Sequence, residues 1–206
     1  MNVAEPTLFK DGFHALVFAF NITGQGIDRP MMNRLAAPTV SRGGGMAGLD
    51  AIGQAGMIRS QVKALGKVQE AILIARTAPR DRPCECKAAC CSGHKMNKEW
   101  TDAIAFLTDY VRTHALAGCT ANAMLRREYV VRYFTHKKER ETIDAIARRH
   151  QVDRNTVSAH AGKVNVLFGG RPARRVKEEY LTAEAGLEGL ALNAVEELLR
   201  EREVVG

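Results

Sequence analysis

The sequence of 206 residues contains no apolar run long enough to cross a membrane. The longest candidate, residues 13–20, is short and is interrupted by His14, whereas a membrane-spanning helix needs about 18 or more apolar residues. The first residues also lack the basic segment, the long apolar stretch and the small-residue cleavage site of a secretion signal. We therefore expect a cytoplasmic protein with no membrane partner.

The residue combinations of common catalytic sites are also missing. No nucleophile stands in a recognisable arrangement with a general base, and no pair of carboxylates is spaced for acid–base catalysis. The glycines at 43–45 lack the preceding strand and the following Lys-Ser or Lys-Thr of a phosphate-binding loop. The sequence therefore does not predict an enzyme.

The chain shows no sustained alternation of apolar and polar residues, so little or no sheet is expected outside the cysteine-rich segment. Apolar residues instead recur at helical spacings. The predicted helices cover residues 7–20, 49–65, 68–77, 98–116, 123–135, 142–150, 154–168 and 183–202. Gly66, Pro79 and the pair Gly169-Gly170 separate or end some of these segments. The pattern predicts an all-α fold.

Charge is distributed unevenly along the chain. The formal net charge is +7, but residues 126–177 contain 14 Lys or Arg against 5 Asp or Glu, a net charge of +9. Residues 178–206 contain 2 against 8, a net charge of −6. A concentrated basic segment is expected where a protein faces the phosphates of a nucleic acid. A solvated basic surface without a partner is the alternative.

Four of the five cysteines fall within eight residues, inside the segment 83–94. Clustered thiols in a chain without a secretion signal favour a metal site over disulfides. Zn²⁺ prefers four tetrahedral nitrogen or sulfur ligands. The candidate ligands are Cys84, Cys86, His94 and either Cys90 or Cys91. No open coordination position is evident, so we expect a structural zinc knuckle; a reduced loop without metal is the alternative.

Residues 143–160 show the pattern of a helix-turn-helix. Two helices that cross at a steep angle need a small residue at their contact, and Ala147 occupies that position. Asp153 is placed to cap the second helix, because its carboxylate can accept the free N–H groups of the first turn. Gln151 stands where glycine is usual for a left-handed backbone. The expected apolar positions are Ile143, Ile146, Val152 and Val157. A plain helical hairpin within a bundle is the alternative.

With its apolar residues turned inward, the second helix presents polar and small residues outward. Arg can bind guanine through two hydrogen bonds, Asn can bind adenine, and small residues allow close approach to base edges. The candidate base-facing residues are Arg154, Asn155, Ser158, Ala159 and Gly162, and the candidate phosphate contacts are Arg148, Arg149, Thr156 and Lys163. The predicted partner is double-stranded DNA.

These features divide the chain into four predicted parts. They are an N-terminal helix and flexible linker at 1–46, a helical region with the zinc knuckle at 47–118, the helix-turn-helix domain at 119–170 and an amphipathic helix at 171–206. The predicted fold class is an all-α helical bundle with a small zinc-knuckle insertion and a C-terminal tetrahelical helix-turn-helix domain. The last helix is expected to pack internally or to form a homodimer.

Two resemblances to known families add to this interpretation. Residues 125–168 resemble LuxR-type and sigma-factor region 4-type domains, through Thr156-Val157-Ser158-Ala159-His160 and the apolar residues that follow. The whole chain is similar to phage Q-type late-gene antiterminators. That likeness rests on Phe-Ala-Phe-Asn at 18–21 followed by Asp-Arg-Pro at 28–30, on the cysteine segment and on the helix-turn-helix.

The second resemblance implies a specific role in the cytoplasm of a bacterial host. The protein would bind DNA at a late promoter, engage RNA polymerase with its sigma factor, and be loaded onto the polymerase, which would then read through terminators. An ordinary repressor or activator, usually a symmetric dimer on a palindrome, is one alternative. A ring-forming small terminase subunit for DNA packaging is another.

Overall fold

The structure is a computed structural model that describes residues 8–22, 49–84, 86, 91–176 and 179–206. The predicted linker glycines at 43–45, the motif at 28–30 and the candidate ligand Cys90 lie outside the described residues. Within these ranges most residues are helical, which confirms the predicted all-α class.

The described residues form eight helices. They are α1 Gly12–Asn21, α2 Leu49–Ala64, α3 Lys67–Thr77, α4 Lys98–His114, α5 Ala123–Phe134, α6 Ile143–His150, α7 Arg154–Gly169 and α8 Leu187–Glu201. The first begins five residues later than the apolar spacing predicts, because the side chain of Asp11 caps it by accepting from the His14 N–H at 2.8 Å. The helical pattern of the sequence therefore locates the elements well and their ends less well.

Three short antiparallel ribbons accompany the helices. Their strands are β1 Asp81–Pro83 with β2 His94–Met96, β3 Gly170–Arg171 with β6 Glu184–Ala185, and β4 Arg174–Val176 with β5 Glu179–Leu181. The last two ribbons lie outside the cysteine segment and were not predicted, because strands of two or three residues are too short to show alternation. Pairing of β6 also delays α8, which starts at Leu187 and not at residue 183 as predicted.

The end of α7 explains how the chain turns into these ribbons. The helix stops at Gly169, where the glycine pair predicts an end. Gly170 has φ 79°, and a Cβ atom at this position would collide with the backbone of Glu184 on the paired strand. Only glycine fits this crossing without moving the chain.

One hydrophobic core runs through all eight helices. It crosses the predicted boundary at residues 118–119, because Val111 of α4 and Leu125 and Val130 of α5 belong to the same cluster. The buried Trp100 also links α4 to α3, since its indole N–H donates a hydrogen bond to the Ala75 carbonyl at 3.2 Å. The segment that contains α5, α6 and α7 is thus packed on the rest of the protein.

The acidic helix α8 packs inside the molecule. Ala191, Val195 and Leu199 are completely buried, whereas Leu190 is 52% exposed. At the start of α8, Glu188 forms a half-buried ion pair with Arg76 of α3 and accepts a hydrogen bond from the Tyr133 hydroxyl of α5. Internal packing, one of the roles predicted for this helix, accounts for its inner face.

Candidate nucleic-acid interface and thiol cluster

The turn between α6 and α7 has the local geometry that its sequence predicts. Gln151 is left-handed, with φ 52° and ψ 41°, and its N–H donates back to carbonyls at the end of α6. Asp153 caps α7, because its Oδ1 accepts from the N–H of Asn155 at 2.8 Å and of Thr156 at 3.2 Å. These two residues set where one helix stops and the next begins.

Buried side chains fix the position of α7. Val157, Val164 and Phe168 are completely inaccessible to solvent, and Ile146 of α6 is buried against the same core. Ala147, the predicted small residue of the helix contact, is 7% exposed. One side of α7 is therefore held rigidly, and the opposite side faces outward.

The outward side of α7 carries the residues that the sequence selects for DNA contact. Most of them are exposed, and two are partly exposed. The exposed ones are Arg154, Asn155, Ser158, Ala159 and Lys163, and the partly exposed ones are Thr156 and Gly162. We call these seven residues the α7 face. Arg148 and Arg149, at the end of α6, are exposed beside it.

The basic residues around the α7 face already have partners in the protein. Arg154 Nε lies 2.6 Å from Asp144 Oδ1, and the Lys163 ammonium donates to the Cys119 sulfur at 3.3 Å. Arg149 is held by the carboxylates of Glu128, at 2.7 Å, and Glu141. Two carboxylates on one guanidinium compete with a phosphate, so Arg149 is the weakest of the predicted phosphate contacts.

A shallow groove of about 510 Å³ runs along the second half of the α7 face. Gly162 and Val166 line it on α7, and its opposite wall is built by His114 at the end of α4 and by Arg171 of β3. Sequence reasoning missed both wall residues. Their positions depend on how α4 and the β3 ribbon pack beside α7, and no local sequence signal reports that packing.

A buried polar pair anchors α7 on α5. The Tyr129 hydroxyl lies 3.3 Å from His160 Nδ1, and the two rings meet edge to face. Burial raises the pKa of Tyr129 to about 12, while burial and the nearby Lys163 lower the pKa of His160. Both side chains are therefore neutral near pH 7, and no buried charge opposes the packing of α7.

Three of the predicted metal ligands lie together in a thiol cluster. The sulfur atoms of Cys84, Cys86 and Cys91 all lie within 4.8 Å of one another. Hydrogen bonding to Cys86, and less strongly to Cys84, raises the pKa of the Cys91 thiol. Three close cysteine sulfurs can hold a metal ion.

His94, the predicted nitrogen ligand, lies outside the thiol cluster. It belongs to β2, pairs with Pro83 of β1 and is exposed. The thiol-bearing turn is closed instead by the Cys84 N–H, which donates to the Gly93 carbonyl at 2.8 Å, and by the left-handed Gly93 at φ 79°. Strand pairing places the His94 backbone beside Pro83, the residue before Cys84, but the His94 ring is not among the ligand atoms that lie within 4.8 Å of one another.

No protein-family model matches the chain, and neither the curated proteins nor the solved structures include a significant match. Among the residues that the structure describes, no helix combines the length and apolar character needed to span a membrane.

Proposed function

We propose that the chain is a sequence-specific DNA-binding protein of transcription and that α7 enters the major groove of duplex DNA. The observation that carries this proposal is the two-sidedness of α7. Its inner side is buried through Val157, Val164 and Phe168, whereas its outer side exposes polar and small residues in one continuous face. A helix that only closed a bundle would not need small residues at positions 158, 159 and 162.

The residues on and beside the α7 face divide into candidates for base contacts and candidates for phosphate contacts. Arg154 and Asn155 are at the start of the helix, where side chains reach base edges in known helix-turn-helix complexes. Ser158, Ala159 and Gly162 leave room for the groove walls, since the major groove is about 12 Å wide. Lys163 and Arg148 supply charge for phosphates, which lends affinity without sequence preference.

A charge introduced on the α7 face tests this proposal. Ser158→Glu places a carboxylate where DNA would approach, and we expect it to lower affinity for duplex DNA about a hundredfold at low salt, because like charges in an interface repel. The matched control is Ser60→Glu on the exposed side of α2. Binding is measured by fluorescence anisotropy over a range of salt concentrations. Equal effects of the two variants would refute the role of α7.

The more specific role that we propose is antitermination. It follows from the resemblance to Q-type late-gene antiterminators, and it requires a second surface that contacts bacterial RNA polymerase and its sigma factor. Transcription past a terminator with purified polymerase tests it. Read-through that depends on the protein and on its DNA site supports antitermination, whereas DNA binding that only blocks or recruits polymerase at the promoter identifies an ordinary repressor or activator.

We also propose that the metal held by the thiol cluster is structural Zn²⁺. Tetrahedral zinc with Zn–S bonds of about 2.3 Å places its sulfur ligands roughly 3.8 Å apart, and the three sulfurs here lie within 4.8 Å of one another. Zinc needs a fourth ligand, for which the sequence candidates are His94 and Cys90. When bound, the ion would fix the tip of the β1–β2 ribbon through Cys84, Cys86 and Cys91, and it would supply no chemistry to the α7 face.

A further inference from the structure

The first residue of α7 is tied to the first turn of α6. Arg154 Nε lies 2.6 Å from Asp144 Oδ1, across the whole turn that separates the two helices. The backbone carbonyl of the same Asp144 accepts a hydrogen bond from Arg148 Nε at 3.3 Å. Asp144 is therefore in contact with two of the basic side chains that border the proposed DNA interface, one through its side chain and one through its backbone.

This ion pair contributes little to the stability of the fold. The side chains of Arg154 and Asp144 are 63% and 55% exposed, and water screens pairs of that kind strongly. Its main physical effect is on the orientation of Arg154, because a long arginine side chain that is held at one nitrogen has fewer rotamers to lose when it binds a second partner.

The engaged atom determines which edge of the guanidinium remains for DNA. Arginine has five N–H donors in a planar fork. With Nε engaged by the carboxylate of Asp144, the edge of the fork formed by Nη1 and Nη2 remains for a second partner. Two parallel donors match the O6 and N7 acceptors of guanine, whereas adenine presents a donor in place of O6.

We propose that Asp144 is a positioning residue that orients Arg154 to read a guanine in the major groove. The inference rests on the proposed function, since it assumes that α7 binds duplex DNA. The inference predicts that the recognition sequence contains a guanine, and it assigns the acidic residue Asp144 a role in specificity. A carboxylate beside DNA would by itself weaken binding, and its pairing with Arg154 is what makes it useful there.

The test measures base preference, which a merely structural role of Asp144 would not change. The preferred duplex is first selected from random sequences with the wild-type protein. Affinity is then measured for that duplex, for a version with the Arg154-dependent guanine replaced by adenine, and for one with 7-deazaguanine, which lacks the N7 acceptor. We expect the wild type to prefer guanine about tenfold.

Four variants separate orientation from charge. Asp144→Ala should reduce the guanine preference to less than about threefold, close to the value for Arg154→Ala, while Asp144→Asn should keep most of it because the amide oxygen can still accept from Nε. The control is Asp109→Ala, which removes the same charge from an exposed position on α4 and should leave the preference unchanged. Circular dichroism of each variant verifies that the helices are formed.

Two results would overturn the proposal while leaving DNA binding intact. One is an unchanged guanine preference in Asp144→Ala. The other is a guanine preference in Asp144→Asn as low as in Asp144→Ala, which would mean that the charge of Asp144, and not its hold on Nε, sets the preference. If the wild-type protein bound no duplex even at low salt, the proposed function itself would fail, and the role of Asp144 with it.

Discussion

The helix pair α6–α7 and the thiol cluster are held in place in different ways. The helix pair is fixed from within by completely buried residues such as Ile146, Val157 and Phe168. In the thiol cluster, Cys86 is exposed, and both strands of the β1–β2 ribbon beside it are largely exposed. Buried side chains hold the helix pair in place, whereas hydrogen bonds and the close approach of three sulfurs hold the thiol cluster.

The two regions also lie at opposite ends of α4. The β1–β2 ribbon leads directly into the start of this helix, and His114 at its other end borders the α7 face. A helix of 17 residues is about 25 Å long. The proposed DNA interface should therefore withstand removal of a metal ion from the thiol cluster, while the ribbon should not.

The largest effect is expected from the core beneath the helix pair. Phe168 is completely buried, and the centroid of its ring lies 5.2 Å from the ring centroids of both Tyr133 and Phe134. We expect Phe168→Ala to lower the free energy of unfolding by about 3–5 kcal/mol, because it removes a large side chain and leaves a cavity. Denaturant unfolding measures this. Val166→Ala on the exposed side of α7 is the control and should change stability by less than about 0.5 kcal/mol.

The next effect concerns the thiol cluster. Cys91→Ser removes one of the three close sulfurs, and we expect zinc affinity to fall at least about a hundredfold, since the serine hydroxyl is a poor zinc ligand. Competition with a chromophoric chelator measures the affinity. Hydrogen exchange should become faster in β1 and β2 and stay unchanged in α6 and α7.

Cys119→Ser is the matched control for this experiment, because Cys119 lies apart from the thiol cluster. The prediction would be wrong if both variants bound zinc as tightly as the wild type. Faster exchange in α7 of Cys91→Ser would instead contradict the independence of the two regions.

A smaller effect is expected at the DNA interface itself. Asn155 is exposed on the first turn of α7, and its side chain suits adenine. We expect Asn155→Ala to weaken binding to the selected duplex by about 1–3 kcal/mol and to leave binding to random DNA nearly unchanged. Asn193→Ala makes the same change on the exposed side of α8 and serves as the control. A loss that was equal for selected and random DNA would assign Asn155 to the phosphates.

The smallest effect is expected at the turn. Gln151 adopts a left-handed backbone, which costs about 1 kcal/mol or more for a residue with a Cβ atom. We expect Gln151→Gly to stabilise the protein by about 0.5–1 kcal/mol, while Gln151→Ala, which keeps the Cβ atom, brings no gain. Thermal unfolding of the two variants decides between these outcomes. A loss of stability in Gln151→Gly would show that contacts of the glutamine side chain stabilise the protein by more than its left-handed backbone costs.

The parts of the fold that the sequence predicts are those encoded by neighbouring residues. Apolar spacing locates each helix, and the caps at Asp153 and Gln151 are visible because both lie next to the helix end that they stabilise. The sorting of α7 into a buried and an exposed side follows from the same spacing. Local patterns are sufficient for these features.

The features that sequence analysis missed depend on contacts between distant segments. Arg171 lines the groove because the β3 ribbon turns back beside α7, and His94 lies outside the thiol cluster although its backbone pairs with Pro83, the residue before Cys84. The pair of Asp144 with Arg154 requires the crossing geometry of two helices. None of these distances can be obtained from residue spacing along the chain.

The packing of α8 has a consequence for how the protein is made on the ribosome. Leu16 and Phe20 of α1 are buried in the same core as Val195 and Leu199 of α8, and 165 residues separate the two helices in the chain. At about 5–20 residues per second, translation takes roughly 10–30 s to cover that interval. During this time α2 and α3 can already cover part of the apolar side of α1, but the part that packs on α8 stays exposed until α8 emerges and docks.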